Sequence, residues 1–413
     1  MRILVLNSGS SSQKACLYEI GETLPSSAPP CLWEGRIEWN GDTAVIAVKN
    51  SKGAAQKEQV KVASRESVVR DLLKTAWSGN GRAIASVSEI DAVGHRIVHG
   101  GPHLTKPVAI TPEVHSTIAS VSQFAPLHIP AELEGVKIVE GLLGDVPQIA
   151  VFDTGFHRQM PLAAETYPGS YDWYDRGIRR YGFHGINHQY CAGRAAQMLG
   201  RDLKSLKLVT CHLGNGCSIS AIDQGHSVDT TMGFTPLEGL MMGTRSGSVD
   251  PGILIYLMRQ RELDVEQIDQ LLNQKSGLLG ISGLSGDMRD VLAGMQLGNE
   301  RAKLAFDIYV HRLRLAIGGM AAVLGGMDAL VFTAGVGENS PDVRAAACST
   351  LEFLGLKVDG QVNAKPSLDA DISTADSQVR ILVIRAQEDW AIAAECWKLV
   401  GADQGQKRQL SQV

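Results

Sequence analysis

Two arginines stand where a cation has chemistry to do. Arg96 lies in "GHRIVHGGPH" (94–103), inside an apolar strand-like run where an unpaired charge is costly. It serves there either a structural salt bridge or an anion held at the strand's end. Arg245 lies in "MGTRSGSVDP" (242–251), among residues small enough to let a ligand reach the guanidinium. Arginine stays ionised and grips carboxylate or phosphate oxygens two at a time. Two arginines in glycine-flanked settings favour an anion site.

The histidines divide differently. His95, His99 and His103 recur every four residues, a metal-like spacing on a helix. Gly94, Gly100, Gly101 and Pro102 oppose a helix there, and no H-E-x-x-H occurs. His184 in "RRYGFHGINH" and His212 in "CHLGNG" each read as a buried, hydrogen-bonded histidine or as a functional one. Asp153 ends an apolar run in "VFDTGFH" and suits the side of a magnesium ion. Glu388 in "IRAQEDW" does the same, with Asp389 beside it leaving the choice open.

These residues need elements to hold them. "ILVLNSGSSSQKACL" (3–17) lines up with "KLVTCHLGNGCSISAI" (207–222), each an apolar strand, a turn of small residues and a second strand. Asn7–Lys14 in the first is either a polar turn or a phosphate cradle. It is no Walker A loop, because the spacing is absent and a strand follows. "ALVFTAGVGEN" (329–339) and "IAVFDTGFH" (149–157) are similar junctions, and four such turns after buried strands indicate a duplicated α/β domain. Two facing domains would leave a cleft for ligands. Strands are expected at Ile3–Leu6, Ala15–Glu19, Ala44–Lys49, Gln59–Val62, Ala92–Val98 and Gln148–Phe152. Helices are expected at Glu66–Ala76 and Pro130–Leu142, a surface loop at Leu24–Pro30, and a frayed polar tail from Ala402.

Composition bounds the partners. The 413 residues suffice for two or three domains. A net charge of -5 gives no reason to expect nucleic acid or an anionic membrane. Seven cysteines without a C-x-x-C suggest neither a disulfide framework nor a zinc site, and point to a reducing cytoplasm. The N-terminus does not read as a signal peptide, and Leu315–Met327 is too short to span a bilayer.

Taken together, "LVLNSGSSSQK", "GHRIVHGG", "APLH", "VFDTGFH", "RRYGFHG", "CHLGNG", "FTPLEGLMMGTRSG" and "FTAGVGENS" resemble the acetate kinase family, in the sugar kinase, heat-shock ATPase and actin superfamily. They run in order from residue 3 to about 340, and "VRILVIRAQEDWAIA" fits more loosely. The resemblance implies two duplicated ribonuclease H-like α/β domains with the active-site cleft between them. Their expected extents are 1–152 with about 390–413, and 153–389, the second binding nucleotide and dimerising. It also implies a homodimer, ATP or ADP as co-substrate, and magnesium, with manganese as the alternative. The implied reaction is reversible phosphoryl transfer from ATP to acetate, giving acetyl phosphate and ADP.

Carried over residue by residue, the resemblance gives Arg96 and Arg245 the carboxylate and the transferring phosphoryl group. It gives His184 the transition state and places Asp153 close to metal and phosphoryl group. Val98, Leu127, Phe183 and Pro236 would enclose the substrate's methyl group. Lys14, Ser10 and Ser12 fall in the first phosphate region, His212, Asn215 and Gly216 in the second. Asp287, Met288 and Arg289, with Gly335, Val336, Gly337, Glu338 and Asn339, would surround the nucleotide. Asn7 and Glu388 would serve the metal. An acetate-like carboxylate, with a pKa of about 4, is already ionised at neutral pH and needs no base to attack phosphorus. It needs alignment and relief of repulsion between anions, so Asp153 is expected to orient rather than deprotonate.

The chain departs from the family pattern with "GINH" (185–188) for Gly-Thr-Ser-His, Ser248 for Asp, "RAQED" (385–389) for Pro-Thr-Asn-Glu-Glu, and "IPAE" (129–132) for Asn-Pro-Ala-Asn. A propionate or other short-chain carboxylate kinase is the nearest alternative, and a non-catalytic nucleotide-dependent module a distant one. A metallohydrolase built on the histidines stands third. Arg96→Ala and Arg245→Ala are each expected to lose most carboxylate-dependent turnover while the fold survives.

Overall fold

The computed structural model describes residues 1–8, 12–126, 128–260, 262–367 and 369–410. The chain forms two compact units, Met1–Gly155 with Gln387–Val413, and Phe156–Ala386. Both boundaries lie three residues from the expected 152/153 and 389/390, so Asp153, Glu388 and Asp389 belong to the first unit.

The first unit holds strands β1 (Arg2–Ser8), β2 (Ser12–Glu19), β3 (Trp33–Asn40), β4 (Thr43–Asn50), β5 (Ala55–Lys61), β6 (Ala92–Ile97), β7 (Val108–Ala109) and β8 (Gln148–Phe152). They form one sheet in the order β5-β4-β3-β2-β1-β6-β8-β7. The second unit holds β9 (Lys207–Leu213), β10 (Cys217–Asp223), β11 (His226–Thr230), β12 (Ala329–Thr333), β13 (Ala370–Asp371) and β14 (Arg380–Val383), ordered β11-β10-β9-β12-β14-β13.

The duplication is visible in these orders. β3-β2-β1 and β11-β10-β9 are antiparallel, and β6 then β8, or β12 then β14, continue each sheet in parallel. Strands covered on both faces read as continuous apolar runs, which is why Ile3–Leu6 and Leu208–Val209 are fully buried. The edge strand β5 is exposed and carries Lys57, Glu58 and Lys61, which discourage further pairing.

Two glycines decide the packing of the first sheet. At Gly94 in β6 a Cβ would lie 2.6 Å from Ile392 and 2.7 Å from Cys396, so the helix Glu388–Leu410 packs there only because glycine is present. At Gly35 in β3 a Cβ would strike the Trp33 indole at 2.5 Å. That strand was not expected from the sequence, since its alternation is broken by Gly35 and charged residues. The last helix runs through Leu410, into the tail expected from Ala402, whose residues 411–413 lie outside the described residues. No helix among the described residues is long and apolar enough to cross a membrane, and Leu315–Leu324 closes the helix Glu300–Leu324.

Candidate active site

In the first unit the site begins at the ends of the parallel strands. Arg96 Nη2 donates to Asp153 Oδ2 at 2.7 Å, both side chains being nearly or wholly buried. Both readings of Arg96 meet here. The ion pair exists, yet the buried Arg96 Nε has no hydrogen-bond partner among the described residues and remains available to an anionic oxygen. Burial alone would lower the guanidinium's pKa, but Asp153, Glu388 and Glu132 more than offset it and hold the pKa above its ordinary value.

Glu388 and Asp389 separate cleanly. Asp389 pairs with Lys14 Nζ at 2.5 Å and accepts from the Cys16 thiol at 3.5 Å. The Lys14 ammonium, expected to face phosphate, is therefore engaged by a carboxylate. Glu388 is half-buried, and burial first, then the charges of Asp153 and Asp389, push its pKa up to about 7. A divalent cation would relieve that crowding, and hard oxygen donors are what magnesium takes. Glu388 and the half-buried amide Asn7, paired across the hairpin with Lys14, fit such an ion in donor type. Ser12 opens β2, whereas Ser10 and Leu127 lie outside the described residues. Val98 is buried.

The histidine triplet does not assemble. His95 Nε2 bonds Gln148 Oε1 at 2.7 Å, and burial drops its pKa to about 4. His99 Nδ1 accepts from the Gly101 amide at 2.8 Å.

Sequence reasoning missed Glu132. It is 1% exposed, and both its oxygens lie within reach of the Val98 amide, at 3.2 and 3.1 Å. Burial first raises its pKa, to about 8, against the pull of Arg96 and the Val98 amide. The signal was the departure "IPAE", a charge on the apolar face of a helix. The folded chain keeps a proton on Glu132 that the unfolded chain loses near pH ~4. Stability should therefore fall as pH rises from about 4 through about 8. Glu132→Gln retains an acceptor for Val98 without titrating. Its melting temperature is expected to match the parent near pH ~5 and exceed it near pH ~9, by a few kcal/mol of stability at most. Equal pH dependence in the two proteins would contradict this account.

In the second unit the hairpin β9–β10 and the helix Gly185–Leu199 bring the histidines together. His184 takes the left-handed conformation, φ 56°, just before that helix. Its ring stacks on His212, centroids 4.0 Å apart and nearly parallel, and its Nδ1 bonds Ser218 Oγ at 2.9 Å. Ser218 also bonds His188 Nε2 at 2.7 Å, and burial, then His157 and His212, keep His188 neutral. Asn187 Nδ2 donates to His212 Nδ1 at 2.8 Å. The departure "GINH" thus supplies an amide that orients His212.

Gly216 marks the point where these groups converge with Arg245. A Cβ there would sit 3.4 Å from His184 Nε2 and 3.8 Å from Arg245 Nη1, ordinary contact distances that set both groups beside the same backbone point. Arg245 Nη1 donates to the Pro236 carbonyl at 3.2 Å, and no carboxylate among the described residues pairs with this guanidinium. Burial lowers its pKa accordingly. Asn215 packs under Gly243, whose amide donates to the Asn215 carbonyl at 3.1 Å. Phe183 is buried and its carbonyl bonds His157 Nε2. Ser248, replacing an expected Asp, is exposed and accepts from the Gly239 amide at 3.0 Å.

The expected nucleotide residues form two groups. Asp287 caps the helix Met288–Gln296 and pairs with the exposed Arg289 at 2.5 Å. Met288 is buried, so its thioether belongs to the core. Gly335, Val336, Gly337, Glu338 and Asn339 lie in the short helix Ala334–Asn339, entered through Ala334 at φ 64°. A non-glycine residue held there is strained, a condition common where backbone must face a ligand. Fully buried Arg344 fixes this turn through the Gly337 and Glu338 carbonyls at 2.8 and 2.9 Å. The Glu338 carboxylate accepts from the Ala386 amide at 2.8 Å, tying the turn to "RAQED".

Comparison with known proteins closes the identification. Residues 2–394 match the family described as the Acetokinase family. The chain belongs to the acetokinase family. It is 58% identical over 403 residues to an acetate kinase of Cyanothece sp., covering 97% of this chain and 98% of that protein. It is also 58% identical over 402 residues to an acetate kinase of Gloeobacter violaceus, covering 96% and 99%. The crystal structure of Porphyromonas gingivalis acetate kinase matches with a TM-score of 0.89 at 40% identity, over 97% of this chain and 99% of that one. A propionate kinase from Francisella tularensis matches with a TM-score of 0.87 at 36% identity, over 95% and 98%. These acetokinase relatives share the two-sheet α/β architecture described above.

Proposed function

We propose that the chain transfers the γ-phosphoryl group of ATP to acetate, reversibly, giving acetyl phosphate and ADP. The observation that carries this is the convergence at Gly216 of the His184 imidazole with the Arg245 guanidinium, which pairs with no carboxylate among the described residues. Such a pair suits an anion whose charge grows in the transition state. The acetate oxygen attacks phosphorus, a new O–P bond forms, and the bond to the leaving ADP oxygen breaks with its electron pair going to ADP. No proton need move. Arg245 and His184 would neutralise the transferring group, Ser218 holding the imidazole in place. Arg96, fixed by Asp153, would offer its Nε–H to an anionic oxygen. Magnesium, held by Glu388 and Asn7, would supply charge neutralisation on the phosphates.

Asn215, Gly216 and His212, with the turn Gly335–Asn339, are assigned to the nucleotide phosphates, and Asp287 and Arg289 to its outer part. Val98, Phe183 and Pro236 are assigned to the methyl group, together with Leu127. A methylene discriminates by about 1–3 kcal/mol, so propionate is the rival substrate. Trapping the acyl phosphate with hydroxylamine across acetate, propionate and butyrate tests the assignment. Acetate should give the greatest kcat/KM, and a greater value for propionate would reassign the chain to the second substrate.

A homodimer is supported by the helix Pro251–Arg259, which buries no residue and exposes Ile253, Ile255, Tyr256 and Met258 by about half. Sedimentation at two concentrations reads the assembly. Seven free thiols suit a reducing cytoplasm.

A further inference from the structure

A second constellation in the first unit takes no part in the chemistry above. Cys16 on β2 stands directly opposite Glu34 on β3 in the sheet register. Cys31, two residues before β3, turns its sulfur back toward them. The two Sγ atoms and a Glu34 carboxylate oxygen all lie within 4.8 Å of one another. Cys16 is buried, while Cys31 and Glu34 are half-buried, so water reaches one side of the group.

We propose that Cys16, Cys31 and Glu34 form a binding site for a thiolate-preferring divalent cation, of which zinc is the type, with a water completing a tetrahedral set. The donor types carry the choice of metal. Two sulfurs and one oxygen match zinc, whereas magnesium refuses thiolates, so the ion of the kinase reaction does not compete. Two thiols alone would equally suit a disulfide, but the third donor in the same small triangle favours a bridging ion.

The surroundings ease ionisation of one thiol only: contact with Cys31, then burial and the Asp389 charge, hold the Cys16 thiol well above its ordinary range. Contact with the Cys16 sulfur pulls the Cys31 thiol down to about 7, with Lys49 assisting, while burial and Glu34 resist. The Cys16 proton, now shared with Asp389 at 3.5 Å, would leave as the metal enters. Lys49 is the competitor, since its ammonium holds Glu34 Oε2 at 2.8 Å. Its side chain is 63% exposed, so it can swing into water and release the carboxylate. Lys14, paired with Asp389, is the other cation nearby.

The test uses the full-length chain, reduced, stripped of metal by a chelator and titrated with zinc chloride in excess magnesium. Calorimetry should show one zinc per chain, with heats that depend on the buffer's ionisation as thiol protons are released. Cobalt in place of zinc should give sulfur-to-metal charge-transfer absorption. Cys31→Ser and Glu34→Gln, both at half-exposed positions, should weaken binding about tenfold or more with unchanged circular dichroism. Lys49→Ala should tighten it. The proposal is overturned if wild type takes up no zinc under these conditions. It is equally overturned if Cys31→Ser binds as well as wild type, or if air oxidation with zinc present yields a Cys16–Cys31 disulfide.

Discussion

Arg245→Ala is expected to lower acetate-dependent phosphoryl transfer about a thousandfold while leaving the melting temperature unchanged or slightly raised. The asymmetry follows from what surrounds the guanidinium. Its hydrogen bond runs to the Pro236 carbonyl, and burial already disfavours its charge. Removing it therefore strands no buried anion. What is lost is the cation that meets His184 beside Gly216. Lysine at 245 should restore little, because a point charge on a flexible stem does not reproduce a planar fork. Turnover within about tenfold of wild type would remove Arg245 from the mechanism.

Arg96→Ala is expected to behave differently, because its ion pair adds a stability cost to the expectation that the fold survives in both arginine variants. Asp153 is fully buried, and its ion pair with Arg96 is 2.7 Å long. Taking away one partner of a buried pair costs about 3–5 kcal/mol, or about 10 °C in melting temperature for a unit of this size. Glu388 would lose the same counter-charge, and the already protonated Glu132 would hold its proton more firmly. Activity should vanish with stability, so the single variant alone is uninformative. Arg96→Ala combined with Asp153→Asn should recover most of the stability and none of the turnover. Thermal melts beside an acyl phosphate assay separate the two roles. A stable Arg96→Ala protein would mean that the carboxylates take up protons instead of relying on Arg96.

Much of this was legible in the residues. Ile3–Leu6, Ala92–Val98 and Gln148–Phe152 are uninterrupted apolar runs, and buried parallel strands leave that mark. β3 was not legible, because Trp33, Gly35, Arg36 and Glu38 alternate only once the Trp33 indole is seen filling the space over Gly35. The charge partners were equally hidden. Nothing near Lys14 in sequence announces Asp389, and Arg96 meets Asp153 through sheet register rather than proximity along the chain. His184 and Arg245 could be singled out by type and neighbours, but Gly216 as their common point depends on a hairpin, a helix start and a loop. Asn187 and Glu132 were marked as departures, and only their partners explained them.

The first unit is made of two stretches of chain separated by more than half the sequence, and this has a bearing on synthesis. Ribosomes deliver β1 to β8 early, yet Gly94 cannot be covered until Ile392 and Cys396 emerge. The second unit is continuous and has no such debt, so it can reach its native form while its predecessor waits. Chains truncated near residue ~386 and released should accordingly show Phe156–Ala386 protease-resistant and the earlier segment cleavable. The part translated first is the last to mature.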